Sequence, residues 1–287
     1  MKAEQKTVLI TGCSSGLGRF TSDYLSKKGF RVIATVRKES DAVNLRKAGL
    51  ECLLLDLNSS ASIKENAEKV LEITNGVLFG LINNSGIELL GAVEDLSRDD
   101  LRLCFETNLF GTIELTNSFI PVFRKQHGGK IIFISASNSN GFGYPFLGPG
   151  NATKSALETI ASALKRELRY TGISVSTVCP DELCTSLLPN MLRYSQHIIT
   201  GNKSVHSRSY SLLHQKFSHP HTAKNANYKF EIIARSIVKI LHSNNPPRRI
   251  VAPFSARLHY LAHAILPEWL QDILLFHKMK RGSGVEL

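Results

Sequence analysis

Thr7-Val8-Leu9-Ile10-Thr11-Gly12-Cys13-Ser14-Ser15-Gly16-Leu17-Gly18 decides the fold. A short apolar, β-branched run enters a glycine-punctuated turn, and the turn opens a helical pattern from Gly16 to Lys28 that Gly29 stops. Glycine is needed where backbone turns sharply and where a phosphate must approach a helix N-terminus, whose dipole and free N–H groups favour anions. A glycine pattern alone is weak evidence. Between a strand and a helix it predicts a dinucleotide cradle made of Gly12, Ser14, Ser15, Gly16, Leu17 and Gly18.

Outward from that turn, short apolar runs alternate with helical patterns, the signature of a mostly parallel sheet covered on both faces. Further strands are predicted at 31–36, 52–55, 77–82, 130–135, 173–179 and 249–251. Helices are predicted at 41–48, 62–73, 99–117 with a continuation to 125, and 151–170. Right-handed crossovers turn this series into an α/β, doubly wound Rossmann-type sheet with a C-terminal helical lid. One domain spans 1–287: a core over about 6–190 and 228–253, a basic insertion over about 183–229, and amphipathic helices over about 255–280 broken at Pro267.

A chain of 287 residues with 43% apolar and 21% charged residues has the balance of a globular protein with a sizeable core. No run of eighteen apolar residues is present and Met1–Lys6 lacks a signal-peptide layout, so a cytoplasmic protein is expected. Cys13, Cys52, Cys104, Cys179 and Cys184 have no paired metal spacing and read as buried reduced thiols, with no metal site. The net charge of +11 suits an anionic substrate or an acidic surface; without a nucleic-acid recognition motif, no nucleic-acid partner is expected.

The second strand runs into Arg37-Lys38. An acid at this place bonds the ribose 2′-hydroxyl of NAD, whereas a cation accommodates a 2′-phosphate, so NADP(H) is expected over NAD(H). Arg37 offers a planar bidentate contact and Lys38 a point charge beside it.

The T-G-x-x-x-G-x-G spacing, Asn83-Asn84-Ser85-Gly86 and Ser137 with Lys154 resemble the short-chain dehydrogenase/reductase (SDR) family. The likeness is to its 17β-hydroxysteroid and retinol dehydrogenase branch and covers about residues 6–190. It implies hydride transfer between a nicotinamide and an alcohol or carbonyl compound, and a homodimer or homotetramer. It implies adenine contacts from Asp56 and Leu57 and further cofactor contacts from Asn83, Pro180 and Thr185. It implies that Ser137 orients the substrate oxygen, that Lys154 holds the ribose, and that Asn108 supports a water relay. The family's Tyr, the proton donor, belongs thirteen residues after the Ser and four before the Lys. That position here is Gly150, and Pro145-Phe146 keep their family places, so no slipped alignment hides a Tyr.

Three expectations follow. Cofactor binding survives, proton transfer loses typically about 10²–10⁴ in rate, and a void opens beside the nicotinamide. Tyr144 is the nearby phenol that could enter that void, set against a plain pocket-wall aromatic. Two functions are therefore kept: an oxidoreductase for an apolar substrate impaired by the loss, and a silent NADP(H)-binding pseudoenzyme acting as cofactor sensor or ligand binder. Pro180-Asp181 departs from the family's Pro-Gly.

From Leu183 to Phe230 there is no acid, while Arg193, Lys203, Arg208, Lys216, Lys224 and Lys229 and five histidines fall in the window. Such a flap favours an anionic ligand or surface; a solvated loop is the plainer reading. Leu258 to Phe276 carries an apolar face with Trp269 and ends in Lys278, Lys280 and Arg281. That pattern suits peripheral contact with a membrane, or packing on the chain's own lid or a partner subunit.

Overall fold

The computed structural model describes residues 5–137, 141–180, 187–201, 204–218 and 223–283. Within them, strands β1 (Thr7–Ile10), β2 (Arg31–Val36), β3 (Glu51–Leu54), β4 (Gly80–Asn83), β5 (Gly129–Ile134), β6 (Ile173–Pro180) and β7 (Arg249–Ala252) form one all-parallel sheet. The strand order is β3-β2-β1-β4-β5-β6-β7. The order reverses between β1 and β4, the switch point at which ligands enter the crevice beyond the strand carboxyl ends.

The near-continuous apolar strands follow from burial on both faces. One face is covered by α1 (Gly16–Lys27), α2 (Glu39–Lys47) and α10 (Ala223–His242), which place Leu25, Leu45, Ile233 and Ile237 on Val8, Ile10 and Val32. The other is covered by α3 (Ser60–Ile73), α5 (Gly111–Lys125) and α6 (Gly148–Glu167). Leu115, Phe119 and Phe123 of α5 recur every four residues and are fully buried, the helical stripe that meets a sheet.

The structure departs from the sequence reading in three places. β4 starts at Gly80 rather than at Val77. The predicted helix 99–117 is split into α4 (Arg98–Phe105) and α5 by a π-helical turn over Glu106–Phe110 that buries Thr107, Asn108 and Leu109. Such turns widen the backbone locally and occur often at functional sites. The polar flap carries α7 (Leu187–Tyr194), α8 (Gln196–Ile199) and α9 (Ser207–Ser218), and α10 begins already at Ala223.

The described residues of the flap are anchored along one side by a core of their own. Met191, Ile198, Tyr210 and Leu213 share a core with Leu90, Ala92 and Phe146. The Tyr210 hydroxyl donates to Asp95 and accepts the Ala92 N–H at 2.9 Å. His197 meets Asp100 at 2.9 Å and His206 meets Glu94 at 2.6 Å, so acids from outside the acid-free window answer two of its histidines. The last helices, α11 (Phe254–Ile265) and α12 (Glu268–Ser283), leave Ile265 77% and Trp269 63% exposed. No helix among the described residues is long and apolar enough to cross a membrane.

Candidate active site

A cavity of about 830 Å³ opens at the switch point. Six of the seven strand ends contribute to it: Gly12 and Ser14 to Gly18 after β1, Arg37 and Lys38 after β2, Asp56 and Leu57 after β3, Asn84 to Glu88 after β4, Ser135 to Ser137 after β5, and Pro180 closing β6. Thus most residues the sequence reading assigned to a cofactor share one cavity with Ser137, Tyr144 and Lys154.

The glycine turn fits a dinucleotide phosphate by shape. Gly12 has φ +73°, and a Cβ there would lie 2.7 Å from Ser85 Oγ. A Cβ on Gly18 would overlap the Gly12 carbonyl and press on Asn84, so α1 can approach the turn only with hydrogen at this place. The first turn of α1 holds no acid that would repel an anion. The Thr11 hydroxyl accepts the N–H groups of Asn84 (3.0 Å) and Ser85 (2.9 Å), and Asn84 Nδ2 donates to the Thr11 carbonyl at 2.8 Å. The β4 loop is thereby fastened to the cradle. Arg37 lies exposed at the mouth, hydrogen-bonded to the Tyr194 hydroxyl of α7 and 5.8 Å from its ring centroid.

One expected cofactor residue stands apart. Asn83 is 3% exposed and does not line the cavity; its Nδ2 donates to Thr116 Oγ1 of α5 at 2.9 Å. Strand alternation turns it to the opposite side from Asn84, so Asn84, and not Asn83, carries the wall. Thr185 lies outside the described residues, as do Asp181 and Cys184.

Lys154 sits on α6 one turn beyond Gly150, and its Nζ donates to the Ile134 carbonyl at 2.9 Å. Burial draws its ammonium down to about 8, against the raising pull of the Glu88 carboxylate and Cys179. Ser137 is buried in the cavity wall and its N–H donates to the Pro180 carbonyl at 2.8 Å. Asn108, presented by the π turn, holds the backbone of Ile87 from both sides: Oδ1 accepts its N–H at 2.8 Å and Nδ2 donates to its carbonyl at 2.9 Å. The same Nδ2 donates to Thr153 Oγ1 of α6 at 3.0 Å.

The expected void above Gly150 is filled. A Cβ built on Gly150 would overlap both carboxylate oxygens of Glu88. Glu88 accepts the backbone N–H of Gly150 and that of Leu89, the latter at 3.2 Å. Burial pushes its carboxyl up to about 8, although both N–H groups and the Lys154 charge pull it down. Tyr144 lines the same cavity, its ring edge on Phe142, but Glu88 holds the place in which its hydroxyl was expected. The sequence reading passed over Glu88. Its one signal was a lone acid in the apolar run Ile87 to Ala92, directly after Gly86.

Among the described residues no metal-binding cluster is present, and Cys13, Cys52, Cys104 and Cys179 are buried free thiols.

A doubly wound sheet with a glycine-bound crevice at its switch point is a nucleotide-binding α/β protein of Rossmann type. The chain belongs to the short-chain dehydrogenase family, whose model matches residues 6–193. The uncharacterized oxidoreductase YbbO of Escherichia coli K12 is 36% identical over 190 residues, covering 66% of this chain and 70% of that protein. The 3-ketodihydrosphingosine reductase of Bacteroides thetaiotaomicron is 30% identical, covering 96% and 97%. Retinol dehydrogenase 7 of Mus musculus is 29% identical, covering 95% and 88%. Two solved family structures share the fold at 20% identity. The one from Burkholderia phymatum, in complex with NAD, has a TM-score of 0.75 and covers 96% of each chain. The one from Burkholderia cenocepacia, in complex with NADP, has a TM-score of 0.71 and covers 96% of this chain and 99% of its own.

Proposed function

We propose that this chain is an NADP(H)-dependent oxidoreductase of an apolar alcohol or carbonyl substrate. The observation that carries the reading is that Arg37 and Lys38, the first two residues past β2 and ahead of Asp41 on the same wall, share one cavity with the glycine cradle, Ser137 and Lys154. A bound nicotinamide would supply or accept the hydride. Gly12 to Gly18 would hold the pyrophosphate at the α1 N-terminus, and Arg37 would clasp the 2′-phosphate with a charge-assisted fork. Lys154 would bond the ribose hydroxyls, and Ser137 would hold the substrate oxygen at the cavity wall. Leu147, Leu188, Met191 and Phe217 give the rest of the cavity an apolar lining that suits a hydrocarbon substrate.

Gly150 favours a second reading, a nucleotide binder without turnover that senses cofactor or holds a ligand, because the family's proton donor is missing there.

One set of measurements separates the two. NADPH and NADH are titrated by nicotinamide fluorescence against the native chain and Arg37→Ala. Reduction of all-trans-retinal and 3-ketodihydrosphingosine, probes suggested by the names of two relatives, is then followed at saturating NADPH. NADPH binding that weakens about tenfold or more in the variant, as loss of a charge-assisted contact of 1.5–3 kcal/mol requires, with NADH binding unchanged, supports the cofactor assignment. Turnover of either probe supports the enzyme; tight NADPH binding with no turnover supports the silent binder. Failure to bind either nucleotide overturns both.

A further inference from the structure

The void that the missing phenol should leave is occupied by the Glu88 carboxyl. Gly148, Pro149 and Gly150 form the first turn of α6, and the Gly150 N–H of that turn, with the helix dipole behind it, meets the Glu88 carboxyl. Gly150 admits that carboxyl by having no side chain, and any other residue would displace it. Asn108 fixes the alignment: one amide clamps Ile87, next to Glu88, and Thr153, next to Lys154. Glu88 faces the same cavity as Ser137 and Lys154.

We propose that the Glu88 carboxyl, seated where the side chain of residue 150 would begin, exchanges the proton with the substrate oxygen in this chain. The proposal rests on the oxidoreductase reading above. A phenol growing from residue 150 would span the slot; the shorter reach of a carboxyl at its root is completed in this proposal by one bridging water, through which general acid–base transfer can run.

In the reducing direction the carbonyl carbon gains the hydride and its electron pair from the reduced nicotinamide, and a C–H bond forms. The C–O π pair moves to oxygen, which takes a proton from the bridging water as that water takes the Glu88 proton. The products are the alcohol, the oxidised nucleotide and the Glu88 carboxylate. The α6 N-terminus and the Lys154 ammonium stabilise that carboxylate until solvent returns its proton. Burial keeps the carboxyl protonated at neutral pH, close to the matching of pKa and working pH that general catalysis favours.

The test compares the native chain with Glu88→Gln and Glu88→Ala, each checked for cooperative unfolding. NADPH affinity is measured first, then the infrared carboxylic-acid band between pH 5 and 9, then reduction of the two probes across the same range. The expected result has NADPH affinity unchanged in both variants and a protonated carboxyl band that fades through about pH 8 and is absent from Glu88→Gln. The rate falls about 10²–10⁴-fold in Glu88→Gln, native turnover declines above about pH 8, and added formate partly restores Glu88→Ala. Native turnover and pH profile retained by Glu88→Gln would overturn the proposal and leave the oxidoreductase reading standing. A Glu88 carboxyl already ionised at pH 6, or tight NADPH binding with no turnover of either probe, would also overturn it. Absence of NADPH binding by the native chain would remove the oxidoreductase reading first.

Discussion

Replacing Gly150 by alanine tests whether residues 88 and 150 act as one unit. The new Cβ would overlap both Glu88 oxygens, so the carboxyl must swing out and release the N–H groups of Gly150 and Leu89. With the carboxyl protonated, each bond contributes about 1 kcal/mol, and pocket water re-bonds the freed groups, so the loss is about 2 kcal/mol. Alanine offsets less than about 1 kcal/mol through helix propensity, because residue 150 lies in the first turn. Gly150→Ala should therefore destabilise by about 1 kcal/mol and lower Tm by roughly 2–4 °C. In a Glu88→Ala background nothing opposes the methyl group, and the substitution should be neutral or stabilising. Urea unfolding of the four proteins gives the coupling energy directly, with about 2 kcal/mol expected. A coupling under about 0.5 kcal/mol, the level at which independent sites already add, would refute the occupancy of this slot by Glu88. Gly150→Tyr is likewise expected to seat its phenol only when Glu88 is also shortened.

Gly18→Ala should lower stability by the roughly 1–3 kcal/mol of an overpacked contact and weaken NADPH binding in fluorescence titrations, because the α1 N-terminus must back away from Gly12; unchanged affinity would count against the cradle. The folded chain keeps the Glu88 proton between the unfolded value near 4.5 and the folded value of about 8. Native stability relative to Glu88→Gln is therefore greatest at low pH, falls through that window and levels off above it; a difference constant in urea unfolding at about pH 5, 7 and 9 would contradict the buried acid. Tyr210→Phe strands the Ala92 N–H and loosens Asp95, at a cost of about 1–3 kcal/mol, and should speed proteolytic cleavage within residues 187–218.

The fold was legible because its information is local. Apolar runs of four to six residues, Gly12 before a helical stripe and Gly29 after it fix β1, α1 and β2 through nearest-neighbour chemistry. The long helix over 99–117 failed for a reason the pattern could not carry. A π turn inserts residues without breaking the apolar stripe on either side, and what selects it is the bonding of Asn108 to Ile87 and Thr153, far away in sequence. The flap misled for a related reason. Its polarity and missing acids read as solvation, yet Asp95, Asp100 and Glu94 come from the segment it folds against.

The site was legible to the same limit. Gly12 to Gly18, Arg37, Asp56, Ser137 and Lys154 are set by spacing along strand ends, and spacing survives in a sequence. Gly150 could be seen as a loss, because an absent phenol is a fact about one position. What replaces it is a fact about two positions sixty-two residues apart in the chain, on different elements. Glu88 alone is an acid in an apolar run, and Gly150 alone is a missing side chain; only the clamp by Asn108 puts the carboxyl into the gap. If Glu88 exchanges the proton as proposed, a glycine at the family's tyrosine position does not by itself remove the proton donor. The next question is which buried acid it admits, and whether a positive charge of the Lys154 kind stands near enough to hold the conjugate base.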